Sequence, residues 1–563
     1  MPAGIARPTI RIRREEKNPM SESGHFKQSL SAFDLALIGF GTVFGSGWLF
    51  AASQVASIAG PAGIASWFIA GVAVLTLGLV YCELGAAIPS SGGAISYLDL
   101  SHGPMLTYLM GLMTVIYMSS IVGLEVVAAR QYAAAWWPAL NVPGTSNAST
   151  LGWFVQCGLI VVFFRLNIAS VRTFALANNI VTTIKFVVPG LIILMLLLHF
   201  KAANFHAAGF APSGLSGIES AVSTGGVIFA FLGLTPIVSV ASEVRNPQRS
   251  IPIALVSSIV AAGVVYILLQ VAFIGAVPTA MLAGGWQGVS HQLALPFHDI
   301  AIQLGIGWLA VVVAVDAVIS PSGCGNIFFS ATPRALFAWS QSGTFFRAFA
   351  KVDPKSGIPR RATWLTLALS VFWTLPFPSW EAMISIVSAS LVISYAVAPV
   401  SVAALRRHRP DLPRPFRVKA LGVIGPLSFV VATFIVYWTG WQSLCWLLGV
   451  QVALYVGYLC VARRMPAGAT LTLGRQLRSS LWLVGYYLMM LLASYLGTFG
   501  GKGIIGHPYD FAVVGAVALI AYYWGVRAGL PADARIEAGA RGAALAPRAA
   551  RDAQAGVRDA VSG

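Results

Sequence analysis

Apolar residues run along this chain in stretches of about 20, the length a helix needs to cross the hydrocarbon of a bilayer, separated by short polar punctuation. The pattern predicts about fourteen such segments, near 34–58, 63–89, 105–138, 151–166, 174–199, 219–242, 252–277, 299–332, 362–377, 379–405, 422–441, 443–462, 480–498 and 510–528. In lipid the backbone groups must be satisfied within the protein, and apolar stretches of about 20 residues do so as helices, so the expected fold class is an all-α polytopic membrane protein. Residues 1–30 and 530–563 are poor in large apolar side chains and are expected to be disordered. Between them the most basic connector, "RRHRPDLPRPFRVK" at 406–419, is too short to separate domains, which leaves one membrane domain.

Composition agrees, since a chain that is 57% hydrophobic and only 10% charged is too apolar for an ordinary soluble core. A net charge of +17 taken alone fits nucleic acid, but the positions of the charges do not. With the amino terminus in the cytoplasm, 32 of the 36 Lys and Arg fall in the two tails or in even-numbered loops. Lys201 and Lys502 then lie in outer loops, and Arg130 and Lys185 lie inside segments. The positive-inside rule is met throughout, so both termini are expected in the cytoplasm of a multi-pass protein of the inner (plasma) membrane, with no nucleic-acid partner. The basic first 30 residues hold no short apolar stretch with a cleavage site, so no signal peptide is expected and the first spanning helix does the targeting.

Chemistry-bearing clusters are scarce. The five cysteines, Cys82, Cys157, Cys324, Cys445 and Cys460, lie in or beside apolar runs without metal-type spacing and read as packing. The eight histidines are scattered through loops and termini, which disfavours an intramembrane enzyme. No catalytic residue, metal or cofactor is expected.

Two segments, five spans apart, look breakable. In "GFGTVFGSGWLF" (39–50), Gly45 and Gly47 flank Ser46, and Gly39, Gly41 and Thr42 weaken the preceding turns. In "GGVIFAFLGLTP" (225–236), Pro236 deprives the carbonyl of Leu232 of its helical partner, Gly233 permits unwinding, and Thr235 is pushed towards extended geometry. Such glycines also serve close helix packing, but a matched pair fits the inverted repeats of secondary transporters, whose first helix is interrupted where substrate binds. A broken helix offers N–H groups to an anion and carbonyls to a cation side by side, which suits a zwitterion.

"GTVFGSGWLF", "YCELGAAIPSSGGAISY", "FAFLG" followed by "EVRNPQRSIPIA", and "ATPRALFAWSQSGTF" resemble the amino acid–polyamine–organocation permeases over roughly residues 30–465. "GLEVVAARQYAAAWWP", "GLTPIVSVASEVRNPQRSIPIAL" and "TLPFPSWEAM", with the extra hairpin after 480, narrow the resemblance to bacterial aspartate–proton symporters. The resemblance implies an inverted five-helix repeat (LeuT-like) core over 31–405, with repeats at about 33–199 and 219–405, and four peripheral helices over 406–529. It also implies that Ser46 and Gly47, beside Gly45, take the substrate carboxylate. The backbone near Thr42, Val43, Phe229, Ala230 and Leu232 would receive the ammonium, with Phe229 as an occluding aromatic. Thr235 departs from the wider family, many of whose members carry a glutamate there.

Buried charges point to a coupling ion. Lys185 sits about ten residues from either end of its segment, too deep to snorkel easily, and Pro189 frees its carbonyl. In permeases with a lysine here the ammonium stands in for sodium between the first and eighth helices, which makes Ser320 its neighbour. Lys185 is expected to carry the coupling proton, against the alternative of a lysine permanently paired as structural glue. Glu125 and Arg130 are five apart and share no helical face, so one of them is expected to face the cavity. Arg130 reads equally as a fork for an acidic side chain and as half of a structural pair. Asp316 shares a face with Ser320 and reads as coupling or structure. Glu83 and Glu243, near cytoplasmic ends, read as scaffold or gating contacts.

The expected function is proton-coupled uptake of an amino acid, with aspartate or glutamate favoured and the oligomeric state open. Its rivals are an amino acid or polyamine exchanger, a sodium-coupled carrier on the same fold, an intramembrane enzyme, and a receptor or channel.

Overall fold

A computed structural model describes residues 30–531, apart from 91, 170, 232, 354–355, 376–378 and 462–470. The expectations for the two tails and for Leu232 fall outside the described residues. Among the described residues the architecture is all-helical, with two isolated β-bridges and no strand.

The main helices are α1 (Ala32–Val43), α2 (Gly47–Ala59), α3 (Ile64–Ala87), α4 (Ala94–His102), α5 (Pro104–Ala133), α6 (Thr150–Ala169), α7 (Val171–Leu197) and α8 (Gly214–Ser223). They continue as α9 (Val227–Ala230), α10 (Leu234–Ser239), α11 (Pro247–Ala276), α12 (Gly307–Gln341) and α13 (Arg360–Trp373). The last five are α14 (Trp380–His408), α15 (Leu421–Trp438), α16 (Trp441–Val461), α17 (Leu473–Leu496) and α18 (Tyr509–Ala528).

By length and composition, 11 helical stretches among the described residues are apolar enough to cross a membrane. The apolar pattern predicts about fourteen, and the difference lies in particular helices. The stretch Ala32–Ala87 holds the first two expected segments, α7 contributes only the short apolar run Val187–Leu197, and α13 has 14 residues. Large apolar side chains such as Phe68, Phe154, Trp308, Trp364 and Trp446 point outward, as lipid-facing positions require.

Local chemistry sets the helix ends that matter for the site. At the start of α1, Ser31 Oγ accepts from Asp34 N (3.1 Å) while Ser31 N donates to Asp34 Oδ2 (2.9 Å), a capping box that satisfies two orphan donors. The helix stops at Val43 because Phe44 leaves helical geometry (φ −86°, ψ 64°), and it resumes at Gly47.

The second interruption is longer. Gly226 adopts a left-handed conformation (φ 81°) after α8, and Gly233 (φ 138°) separates α9 from α10. Pro236 does not sit in the gap itself. It occupies the first turn of α10, where its missing N–H leaves no helical bond unmade, so the break falls at Gly233 and just before Pro236.

α5 and α12 form the most extensive helix pair, and α7, α11 and α14 close around the breaks. At one face, buried acids hold the helix ends together. Glu83 pairs with Arg406 and accepts from Val418 N (2.8 Å), and Glu243 pairs with Arg334 Nε (2.5 Å). The chain before α1 is tied to the same region by Leu30 N to Glu243 O (2.9 Å). At the opposite face a vestibule of about 810 Å³ opens, lined by Phe50, Ser53, Gln131, Asn141, His291 and Glu381 among others.

Candidate functional site

The two breaks touch. A Cβ added at Gly47 would lie 2.8 Å from Ala230 Cα and 3.1 Å from Phe229 Cδ1, and one added at Gly233 would lie 2.8 Å from Thr42 Oγ1. Glycine is therefore required at Gly47 by the close approach of the Ala230 backbone, and at Gly233 by its positive φ, with the Thr42 side chain packed against it. Thr42, Val43, Gly45, Ser46, Gly47, Phe229 and Ala230 come together as expected, all buried.

Each freed carbonyl of the first break is claimed by a side chain from another helix. Gly41 O accepts from Lys185 Nζ (2.8 Å), Thr42 O from Cys324 Sγ (3.2 Å), Val43 O from Tyr266 OH (2.5 Å) and Phe44 O from Ser320 Oγ (2.8 Å). Tyr266 also donates to Ala230 O (3.1 Å), so one hydroxyl clamps the ends of both half-helices.

On the donor side, Ser46 N donates to Glu125 Oε2 at 2.8 Å. Glu125 Oε1 is buried without a hydrogen bond and stands where a Cβ on Gly45 would fall. An internal carboxylate thus occupies the anion position that the helix break creates. Lys185 lies close enough to Glu125 and Asp316 to act on both through space.

Aromatic rings separate this site from the vestibule. Phe50 stacks on Trp380 (centroids 4.9 Å, 22° between planes), Trp380 Nε1 donates to Ser46 Oγ (2.9 Å), and Phe229 meets Trp380 edge-on at 6.2 Å. On the other side of the site, Thr235 is buried among the hydroxyls of Tyr81, Tyr117 and Tyr395.

Comparison with known proteins fits this geometry to a family. The profile of a family described as amino acid permease matches residues 30–471. The chain belongs to the amino acid permease family. The permease is 50% identical over 513 residues to the aspartate-proton symporter of Bacillus subtilis (strain 168), covering 91% of this chain and 98% of that protein. It is 36% identical over 512 residues to the glutamate/serine transporter AimA of the same organism, covering 89% of this chain and 94% of the relative. It is 27% identical over 439 residues to that organism's branched-chain amino acid permease BcaP, covering 75% and 91%. These relatives are transporters, so the permease is a multi-pass membrane transporter with the LeuT-like helical fold of its family, and not an enzyme.

Among the residues singled out from the sequence, Lys185, Ser320 and Glu125 meet at the first break, and Asp316 lies in electrostatic range of Lys185. Arg130 is not brought to the breaks. Its guanidinium engages the loop after α5, pairing with Asn141 and donating to Ser146 O (2.9 Å), one wall of the vestibule. Glu381 is the acid whose field reaches it. Three site residues were not singled out: Tyr266, Trp380 and Cys324. The signal for Tyr266 was its spacing from Gln270, one polar face in an apolar helix, since Gln270 also braces the first broken helix through Ala52 O (3.0 Å).

Proposed function

We propose that this permease carries an acidic amino acid, aspartate foremost, across the plasma membrane together with a proton. The likeness to the aspartate-proton symporter at 50% identity supports substrate and coupling ion alike. The observation that carries the mechanism is the hydrogen bond from Ser46 N to Glu125 Oε2.

An α-carboxylate entering the site competes with Glu125 for the same N–H. Once displaced, Glu125 becomes a buried anion without its donor, a state that costs several kcal/mol unless a proton neutralises it. Substrate binding and proton uptake are thereby one event. Lys185 serves the same exchange from the other side. Its ammonium holds the Gly41 carbonyl of α1 by a charge-assisted hydrogen bond, so loss of that proton loosens the half-helix that must move.

The substrate ammonium takes the carbonyls that Tyr266 now occupies, at Val43 and Ala230. Phe50, Trp380 and Phe229 close over the substrate from the vestibule side, and the Glu83 and Glu243 ion pairs hold the opposite side shut. In this reading the vestibule faces outward, both termini lie in the cytoplasm, residues 31–405 form the inverted-repeat core, and 406–529 form the periphery.

The test is uptake of labelled aspartate into proteoliposomes with and without an imposed proton gradient, acidic on the vestibule side. Uphill accumulation driven by the gradient supports the reading. Flux that never exceeds equilibration, or that needs sodium, contradicts it.

A further inference from the structure

Asp316 is the one carboxylate among the described residues with both oxygens buried and without a hydrogen bond. It is 1% exposed on α12, a helix apolar enough to cross the membrane. A charge at that depth is costly in lipid, and an orphaned buried acid needs a cause. Structural glue is the first candidate cause, and the geometry argues against it. Among the described residues no ion pair joins Asp316 to Lys185, whose Nζ donates to Gly41 O at 2.8 Å.

Position supplies the second observation. The chain leading into α12 lines the vestibule at Ser290, His291 and Leu293 to Pro296, so Gly307 begins the helix from the vestibule face. Lys185 Nζ packs beside Gly323, 3.1 Å from where its Cβ would lie. Asp316 falls between those levels, roughly 13 Å along the axis from Gly307 and two turns short of Gly323 at about 1.5 Å per residue. The other titratable groups facing Lys185 are Glu125 of α5 and Cys324 of α12, with Tyr266 of α11 beside them.

We infer that Asp316 is the relay by which the coupling proton reaches Lys185 from the vestibule face, apart from the substrate's own route. A hydronium ion at that face gives a proton to the Asp316 carboxylate, its own O–H bond breaking to leave water as the carboxyl O–H bond forms. That bond breaks as neutral Lys185 Nζ accepts the proton across a bridging water, which restores the carboxylate and leaves the ammonium on Gly41 O. The inference rests on the proton-coupled reading above, and the experiment separates the two.

Full-length wild type, Asp316→Asn and Asp316→Glu are reconstituted, and labelled aspartate is followed in counterflow without a gradient and in accumulation driven by an imposed pH gradient. A wild type that does not accumulate refutes the coupled reading itself. With wild type accumulating, Asp316→Asn should hold counterflow within about twofold and lose roughly tenfold or more of driven accumulation, the scale of a missing proton-transfer group. Equal accumulation in Asp316→Asn and wild type overturns the relay. If Asp316→Asn loses counterflow as well, Asp316→Glu decides. Recovery with a displaced pH profile supports the relay, and recovery with the wild-type profile, or no recovery, overturns it.

Discussion

At the first break, between α1 and α2, the freed peptide groups meet two charge-bearing side chains, Lys185 on Gly41 O and Glu125 on Ser46 N, beside the Cys324 thiol and the hydroxyls of Tyr266 and Ser320. At the second, between α9 and α10, they meet a phenol and rings: Tyr266 on Ala230 O, Phe229 against Trp380, and Thr235 among three tyrosines. One sequence device, a glycine-loosened helix, has been given two surroundings. On the proposed reading the first couples substrate to a proton because Lys185 and Glu125 can change charge, and the second fixes shape because its phenols and rings carry no charge near neutral pH. Substitutions at the first should alter what drives transport, and those at the second should alter affinity and rate.

The harshest way to break that division is to force the two sites apart. Gly47→Leu places a side chain against the Ala230 backbone, where neither side can yield, and overpacking of about 1–3 kcal/mol or more predicts a loss of roughly a hundredfold in uptake. Binding of labelled aspartate to purified, folded protein checks it; near-normal binding means the breaks do not enclose the site.

Next in size is Glu125→Gln. It keeps the shape and an oxygen for Ser46 N but cannot exchange a proton, so gradient-driven accumulation should fall by roughly tenfold while exchange of preloaded aspartate falls less. Parallel loss of both places Glu125 in binding alone.

Tyr266→Phe sharpens the other half of the comparison. Losing a hydroxyl shared between Val43 O and Ala230 O is worth about 0.5–1.5 kcal/mol, hence a roughly two- to tenfold change in apparent affinity with an unaltered pH profile. A shifted pH profile contradicts the division.

The smallest effect is expected for Trp380→Phe. The ring over the site remains while its bond to Ser46 Oγ is lost, so substrate release should quicken by about two- to fourfold in single-turnover efflux. No change removes Trp380 from the lid.

Much of this was legible in the sequence, for physical reasons. Buried charges are costly in lipid, so Lys185, Glu125 and Asp316 stood out within apolar runs. The breaks declared themselves through Gly45, Gly47 and Gly233, because few other residues allow such backbone. The second break lay slightly earlier than Pro236 suggested, since proline is at home in a helix's first turn. Tyr266, Trp380 and Cys324 were hidden because Tyr, Trp and Cys in an apolar segment look like packing, and their polar atoms matter only through what faces them. Arg130 depended on how the loop over 141–146 folds back, which spacing along α5 does not encode.

The central claim is that an entering carboxylate displaces Glu125 from Ser46 N and so draws in a proton. The direct measurement is proton uptake by purified protein in weakly buffered solution as aspartate is added, followed with a pH-indicating dye for wild type and Glu125→Gln. Wild type should take up protons in step with binding, and Glu125→Gln should bind with that uptake lost. Binding without proton uptake in wild type, or undiminished uptake in Glu125→Gln, contradicts the account.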